Sequence, residues 1–361
     1  MSNEFNRQWL LNQLKGVITR NSLFPTVAAR DTGELSFRKS EAIVVNNIGI
    51  HAVILEKIAH LFPRGEAAEL ISTGLESLWH EVVYYEGHPT WRWIKNPKRV
   101  EDELPPDYDD ICWGYRATVA AAANLEEGKN SPALIKEING VDLCGLISRD
   151  FVKVNDLLQI DPSGRYQTPS IYIGGIRYED DQPDPVVSVH VLGELLRRHQ
   201  QNICKNPSCN IPEIIWTGIR AFLLQQSIIS KPFGELSRYY LSLPYFLYAL
   251  LASLEYSKYS LLDNTTKQRM ITLTEKILAK QPKTILDTAW ITSTALRLNM
   301  SINQNFDALD SFIKSSLSQP SKNIVSVYRH KKMNLVFGSE VLHTVFGYEA
   351  VAKFENKNPK A

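Results

Sequence analysis

Apolar residues spaced three and four positions apart run through most of this sequence, which is the pattern of helices that bury one face. In one such segment, Ile111, Tyr115, Thr118 and Ala122 fall on a single stripe. Segments with this spacing cover 66–82, 107–123, 186–199, 212–230, 239–256 and 339–354. Strand patterns are few, at 165–178 and 324–337, and they indicate short hairpins between helices. The sequence therefore predicts an all-α fold.

The predicted helices recur as similar units with acidic starts. Asp109 and Asp110, Asp184 and Asp287 each precede a stretch rich in small and apolar residues. An aspartate at a helix start also has a simpler explanation, because it caps exposed N–H groups and interacts well with the helix dipole. No linker of flexible composition divides the chain. We expect one domain over 1–361, with an N-terminal helix over 4–20 and a polar tail over 355–361.

Composition excludes several classes of protein. Lys and Arg number 40 and Asp and Glu 39, so the net charge of +1 gives no basic excess for a nucleic-acid partner. No apolar run is long enough for a transmembrane segment, and the N-terminus lacks the pattern of a signal peptide. Contact with a membrane surface and the oligomeric state stay open. Four cysteines are too sparse for a disulfide framework, which favours a cytoplasmic location.

Two of the cysteines, Cys204 and Cys209, are close enough in sequence to suggest a zinc knuckle. A zinc knuckle needs a second Cys or His pair of matching spacing, and none follows. The sequence alone therefore does not predict zinc at this position.

An acidic motif opens the segment 107–123. Asp107, Asp109 and Asp110 place three carboxyl groups within four residues, after two prolines and after the aromatic stretch 84–93. Because the three charges repel one another, burial would leave at least one carboxyl protonated. A protonated acid among aromatic rings can protonate an alkene, and the rings can stabilise the resulting cation. The alternative is that Asp107 caps a helix while the other two are solvated in its first turn.

The motif and its context, PPDYDDICWGYRA, resemble the D-x-D-D segment of squalene-hopene and class II diterpene cyclases. Later segments such as DPVVSVHVLGEL and TILDTAWITSTALRL resemble repeats of the wider superfamily of terpenoid cyclases and protein prenyltransferases. This resemblance implies a single α/α toroid (α6-α6 barrel) of paired helices with short hairpin insertions. It implies that Asp109 donates the proton, that Asp107 and Asp110 flank it, and that His190 orients the acid. Ile111 departs from the family pattern, in which a threonine is usual.

The function that this resemblance implies is protonation-initiated cyclisation of an isoprenoid chain. Its candidate substrate-binding residues share an aromatic or cationic side chain near the motif or on later repeats: Trp91, Trp93, Trp113, Tyr115, Tyr239 and Arg92. The protonation step needs no metal or other cofactor. A diphosphate substrate would need Mg²⁺ and a basic patch, for which Arg92, Lys95, Lys98 and Arg99 are candidates. Each aromatic residue could equally belong to the hydrophobic core.

Two alternatives stay open on the same fold. One is a non-catalytic accessory scaffold that binds an isoprenoid or a peptide. The other is a zinc-dependent protein similar to prenyltransferases, with Asp110, Cys112 and His343 as ligands, although these residues could instead be ordinary core residues. The two prolines before the motif further predict that Asp107 lies outside the helix. With that helix start, the resemblance implies that Asp109 faces a cavity.

Overall fold

The computed structural model describes residues 6–19, 22–92, 106–125, 131–149, 151–153, 167–169, 184–204, 209–237, 239–301, 304–319, 322–330 and 334–357. Helices dominate, as the sequence predicts. They are α1 (Arg7–Leu14), α2 (Ile48–Leu61), α3 (Ala68–His80), α4 (Tyr108–Asn124), α5 (Ser131–Asn139), α6 (Leu143–Arg149), α7 (Pro185–Gln200), α8 (Ile211–Leu224), α9 (Ser227–Ser230), α10 (Phe233–Leu236), α11 (Leu243–Glu255), α12 (Asn264–Ala279), α13 (Ile285–Arg297), α14 (Gln304–Ser318) and α15 (Glu340–Lys357).

Six of these helices form a closed inner ring. In ring order they are α2, α4, α7, α11, α13 and α15, and α15 returns to contact α2. The remaining long helices, including α3, α8, α12 and α14, pack against the outside of the ring and alternate with the inner helices along the chain. The fold is therefore an α/α toroid, which confirms the predicted fold class.

Burial explains which helices lie inside. Every residue of α13 from Ile285 to Leu296 is buried, because this helix is packed on all sides. In contrast, the outer helix α12 buries only a stripe of Thr266, Met270, Leu273 and Thr274. A helix that is buried on every side belongs inside a fold, whereas one that buries a single stripe lies at its surface.

Polar side chains cap the beginnings of the inner helices. The side chains of Asn47, Asp107, Asp184, Ser242 and Thr284 each accept a hydrogen bond from a backbone N–H in the first turn of α2, α4, α7, α11 and α13. Asp107 has an extended backbone and so lies outside the helix, as the prolines before it predict. Capping thus accounts for two of the acidic helix starts, at Asp107 and Asp184.

Short strands lie at the end of the ring where the inner helices begin. They are β1 (Thr26–Arg30), β2 (Ser36–Arg38), β3 (Ile43–Val45), β4 (Val83–Tyr85), β5 (His88–Thr90), β6 (Phe151–Lys153), β7 (Gln167–Pro169), β8 (Asn323–Val325), β9 (Tyr328–His330) and β10 (Leu335–Gly338). The largest sheet has the order β3-β1-β10-β9 and pairs Val27 with Gly338. Its position is fixed partly by the Phe24 N–H, which donates to His51 Nδ1 in α2 at 2.9 Å.

Three details differ from the sequence-based expectations. Strands β1 and β3 were not predicted, and β1 pairs with a strand from the other end of the chain instead of forming a local hairpin. Helix α1 covers Arg7–Leu14 instead of 4–20, because Lys15 is extended and Gly16 has a φ of +75°. Helix α15 continues to Lys357, into the predicted polar tail. None of the described helices combines the length and apolarity needed to cross a membrane.

Candidate functional site

A cavity of about 900 Å³ runs down the middle of the inner ring. All six inner helices contribute to its wall. Six aromatic residues line it: Trp113, Tyr245, Tyr248, Tyr256, Phe346 and Tyr348. Nine acidic or strongly basic residues also line it: Arg7, Glu56, Lys57, Arg116, Glu255, Arg297, Glu349, Lys353 and Glu355. The cavity is therefore suited to a polar ligand that also presents an apolar face.

Four buried side chains form a hydrogen-bonded chain at the inner end of this cavity. The imidazole of His190 on α7 bonds through Nδ1 to Asp109 Oδ1 on α4, and the Tyr240 hydroxyl donates to Asp109 Oδ2. On the other side of the imidazole, the Tyr245 hydroxyl lies 3.1 Å from His190 Nε2. His190 and Tyr245 line the cavity, whereas Asp109 lies behind them.

Electrostatics fix the protonation of the two tyrosines. Burial, followed by the charge of the nearby Asp109 carboxylate, raises the pKa of both Tyr240 and Tyr245 well above its ordinary value. Both hydroxyls therefore keep their protons and donate. An Asp109 carboxylate that accepts from Nδ1–H leaves Nε2 of a neutral imidazole as the acceptor for Tyr245. The indole of Trp113 packs against the imidazole with ring centroids 4.6 Å apart, which fixes the ring's orientation.

The other two carboxyl groups of the acidic motif form a separate buried pair. Asp107 Oδ1 accepts the Asp110 N–H at 2.7 Å, and the two side chains also hydrogen-bond to each other. Burial, followed by the neighbouring carboxylates, raises the pKa of both groups well above the ordinary range. This agrees with the expectation that crowded, buried carboxyls hold a proton. Asp110 Oδ2 has no hydrogen-bond partner among the described residues.

A glycine makes room for this pair. A Cβ at Gly49 on α2 would lie 2.3 Å from Asp110 Oδ1 and 2.8 Å from the Trp113 ring. Only glycine allows α2 and α4 to approach so closely beside the motif.

Further along the cavity wall, three cations converge on one carboxylate. Glu349 on α15 lies 2.7 Å from Lys353 Nζ, 3.5 Å from Lys57 Nζ and 3.7 Å from Arg297, and it accepts the Tyr248 hydroxyl at 2.7 Å. Burial alone would raise the pKa of Glu349, but the three cations lower it below its ordinary value. Glu349 therefore stays ionised and holds the cations in place.

The same crowding affects a lysine. Burial, together with the positive charges of Arg297 and Lys57, lowers the pKa of Lys353 to about 8, although Glu349 opposes the shift. Arg297 has a second carboxylate partner, Glu255, at 2.7 Å. Lys57, Arg297 and Lys353 thus contact only two carboxylates, those of Glu349 and Glu255. A bound anion would neutralise the remaining positive charge.

The predicted substrate-binding residues are mostly outside the cavity. Trp113 lines it. Trp91 and Tyr115 are fully buried core residues whose ring N–H and hydroxyl donate to the carbonyl oxygens of Leu78 and Pro89. Tyr239 is stacked on Tyr328 near the sheet, and Arg92 is partly buried outside the cavity wall. Trp93, Lys95, Lys98 and Arg99 lie outside the described residues.

The weaker zinc hypothesis is not reproduced by the geometry. Asp110, Cys112 and His343 do not form a cluster in the part of the chain that the structure describes. His343 instead accepts the Val325 N–H at 3.2 Å, and burial lowers its pKa to about 4. One group of potential metal ligands does converge elsewhere: Cys144, His199, Cys204 and Cys209.

Sequence reasoning missed the charged wall of the cavity. Glu56, Lys57 and Glu349 interrupt otherwise apolar helices, and such interruptions are the signal that could have identified them. Tyr240 and Tyr245 stand among many aromatic residues, so nothing in the sequence distinguishes their hydroxyls as partners of the Asp109–His190 pair.

Comparisons with known proteins support the fold and go no further. No family model matches the sequence, and no curated protein matches it. Among solved structures, the chain is similar to one titled "Crystal structure of unsaturated glucuronyl hydrolase specific for heparin", with a TM-score of 0.55 and 10% identity over 98% of this chain and 99% of that chain. At this identity the similarity establishes an α/α toroid and not an activity.

These findings contradict the predicted function. The solved structure named above, which shares the fold, is titled as a hydrolase, and the comparisons give no support to a terpenoid cyclase or to an isoprenoid-binding scaffold. The geometry of the site also argues against a terpenoid cyclase. Asp109 is covered by His190 and Tyr240, so it does not face the cavity as the motif predicts, and the charged cavity wall does not suit a hydrocarbon chain.

Proposed function

We propose that this protein is a hydrolase that acts on an acidic saccharide in the central cavity. The observation that carries the proposal is the Asp109–His190 pair at the inner end of a polar, aromatic-lined cavity. A carboxylate that holds an imidazole in one tautomer is a recurring arrangement for general acid–base catalysis.

The proposed chemistry uses Nε2, the imidazole nitrogen on the side away from Asp109. With Nδ1–H held by Asp109, Nε2 of His190 accepts a proton from a water molecule as its oxygen attacks the sugar carbon, and the bond from that carbon to the leaving oxygen breaks in the same step. The leaving oxygen takes a proton from solvent, and the imidazolium, stabilised by the Asp109 carboxylate, then gives its proton back to solvent. The Tyr245 hydroxyl lies 3.1 Å from Nε2, so the attacking water would take its place at Nε2 and would accept the Tyr245 hydroxyl instead.

The remainder of the cavity accounts for the acidic character of the proposed substrate. Lys57, Arg297 and Lys353 outnumber the carboxylates Glu349 and Glu255 that they contact. A uronate carboxylate or a sulfate would pair with the excess charge. Aromatic rings such as Trp113 and Phe346 offer flat surfaces for the apolar face of a sugar ring. The similarity to a glucuronyl hydrolase of the same fold is consistent with such a ligand.

The proposal is tested by incubating the purified chain with unsaturated disaccharides prepared from heparin, with saturated uronic-acid glycosides and with neutral glycosides of the same leaving group. We expect release of sugar from an acidic member of the panel and not from its neutral counterpart. Lys353→Met should raise KM for the acidic substrate with a smaller effect on kcat, because the lysine binds and does not react.

A matched control is available in Lys39→Met. Lys39 forms an exposed ion pair with Glu340 at 2.6 Å and lies outside the cavity wall, so this variant should behave like the wild type. Turnover of neutral glycosides alone, or binding of acidic saccharides without any turnover, would contradict the proposal.

A further inference from the structure

Away from the central cavity, three cysteines and a histidine meet where α6, α7 and α8 come together. Cys144 lies in the first turn of α6, His199 in the last turn of α7, and Cys204 and Cys209 lie between α7 and α8. Cys144 Sγ is 3.5 Å from Cys204 Sγ and 4.0 Å from His199 Nε2. The four potential ligand atoms all lie within 4.8 Å of one another.

We propose that these four residues bind one structural zinc ion. Tetrahedral zinc has Zn–S bonds of about 2.3 Å and Zn–N bonds of about 2.0–2.1 Å, which places two sulfur ligands about 3.8 Å apart and a sulfur and a nitrogen ligand about 3.5 Å apart. The separations of 3.5 and 4.0 Å are close to this geometry. Three cysteines and one histidine form a closed ligand set with no position left for a substrate, which is typical of a structural site.

The sequence contains half of this site in a recognisable form. Cys204 and Cys209 have the short spacing of a zinc knuckle, but their partners precede them instead of following. Cys144 lies 60 positions upstream of Cys204, and His199 is in the helix that leads directly to Cys204. Only the fold brings α6 beside the end of α7.

Zinc binding at this cluster balances as an exchange of thiol protons for the metal ion. Binding of Zn²⁺ would replace three S–H protons by three Zn–S bonds, release those protons and add one bond to His199 Nε2.

The proposed zinc ion would join α6 and the two cysteines between α7 and α8 to the inner-ring helix α7. Arg198 on α7 already donates to the carbonyl oxygens of Val141 and Ile138, at 2.9 and 2.8 Å, just before α6. A metal bound by Cys144 and His199 would cross-link the same junction between α6 and α7. The site therefore supports the position of α7, which carries His190 at its other end.

A disulfide is the competing outcome. Cys144 Sγ and Cys204 Sγ would have to approach from 3.5 Å to about 2.05 Å. Such a bond would use two thiols and leave Cys209 and His199 gathered beside it without a role.

The test is metal analysis of the full chain, purified without chelators from cells supplied with zinc. We expect one zinc per chain, a fall of at least tenfold in metal content for Cys204→Ser and for His199→Ala, and a lower Tm after chelation. Cys112→Ser is the matched control, because Cys112 is buried on α4 outside the cluster, and this variant should keep its zinc.

Cobalt substitution provides a second measurement that does not depend on whether the variants fold. Replacement of zinc by Co²⁺ in the wild-type chain should give the intense visible bands of a tetrahedral site and a sulfur-to-cobalt charge-transfer band. A metal-free chain that does not take up Co²⁺, a weak octahedral spectrum, a disulfide between two of the three cysteines, or zinc retained in Cys204→Ser would each overturn the proposal.

Discussion

Asp109 and His190 are 81 positions apart in the sequence, yet their side chains form a buried hydrogen-bonded pair between two neighbouring helices of the inner ring. The carboxylate faces away from the cavity and the imidazole faces into it. In the proposed reaction the acidic motif would act on a ligand through the histidine, so the carboxyl group predicted to be an acid would instead orient a base.

We predict that Asp109→Asn lowers kcat by about 10²–10⁴-fold, because an amide can hold the imidazole in the wrong tautomer and cannot stabilise its protonated form. The pH profile of kcat/KM should also change, since the histidine loses its charged partner. Kinetics of hydrolysis over a range of pH provide the measurement.

Asp287→Asn is the matched control for this change. Asp287 is also buried in the first turn of an inner helix and accepts a hydroxyl, from Ser242, but it lies outside the cavity wall. Equal kinetic losses in the two variants would indicate a general disturbance of the fold instead of a role for the pair.

A second prediction concerns the Asp107–Asp110 pair and the pH dependence of stability. Their pKa values are raised in the folded chain, so the stabilisation they provide is complete below the unfolded pKa of about 3.9 and is lost as the pH rises through the folded values. A tenfold difference in proton affinity between the folded and unfolded chain corresponds to about 1.4 kcal/mol. Asp110→Asn should therefore gain stability relative to the wild type as the pH rises from about 5 to about 8.

Urea unfolding at the two pH values measures this difference. Asp142→Asn, at the exposed start of α6, controls for the amide substitution itself. If the difference in the free energy of unfolding between Asp110→Asn and the wild type were the same at both pH values, the Asp107–Asp110 pair would not hold a proton with raised affinity in the folded chain.

The third prediction concerns Glu349. Its removal in Glu349→Gln leaves Lys57, Arg297 and Lys353 with too little negative charge, and we expect a loss of about 3–5 kcal/mol in the free energy of unfolding at pH 7. Since the pKa of Glu349 is lowered on folding, its stabilisation is present above about pH 4.3 and disappears as the pH falls through the folded value. The difference between variant and wild type should therefore shrink in acid.

Glu340→Gln is the control for this measurement, because it breaks the exposed ion pair with Lys39 and should cost no more than about 1 kcal/mol. Similar losses in the two variants would contradict the view that Glu349 is the buried centre of the cation cluster.

The all-α class could be predicted because its signal is local and repeated, whereas the toroid was implied by the resemblance to the terpenoid cyclase and prenyltransferase superfamily. Apolar spacing marks most of the inner helices, and the prolines before Asp107 place it outside α4. The sheet could not be predicted in the same way, because β1 pairs Val27 with Gly338 across almost the whole chain. Pairing of that kind depends on tertiary packing, for which a single sequence carries no periodic signal.

Only part of the candidate site could be predicted, because the rest of it also depends on tertiary packing. The acidic motif drew attention to Asp109, and His190 was proposed as its partner from its position in a later repeat. Which of the two faces the cavity depends on the rotation of α4 against α7, which the motif does not determine. The cluster around Glu349 combines residues from α2, α13 and α15, so its members have no common sequence pattern.

The central claim is that His190 promotes attack of water on a saccharide bound in the cavity. Hydrolysis of an acidic disaccharide in H₂¹⁸O, followed by mass spectrometry of the products, tests it most directly. We expect one ¹⁸O atom in the sugar released by the wild-type chain and no product above background with His190→Gln. Products that lack ¹⁸O, or labelling that His190→Gln leaves unchanged, would contradict the account.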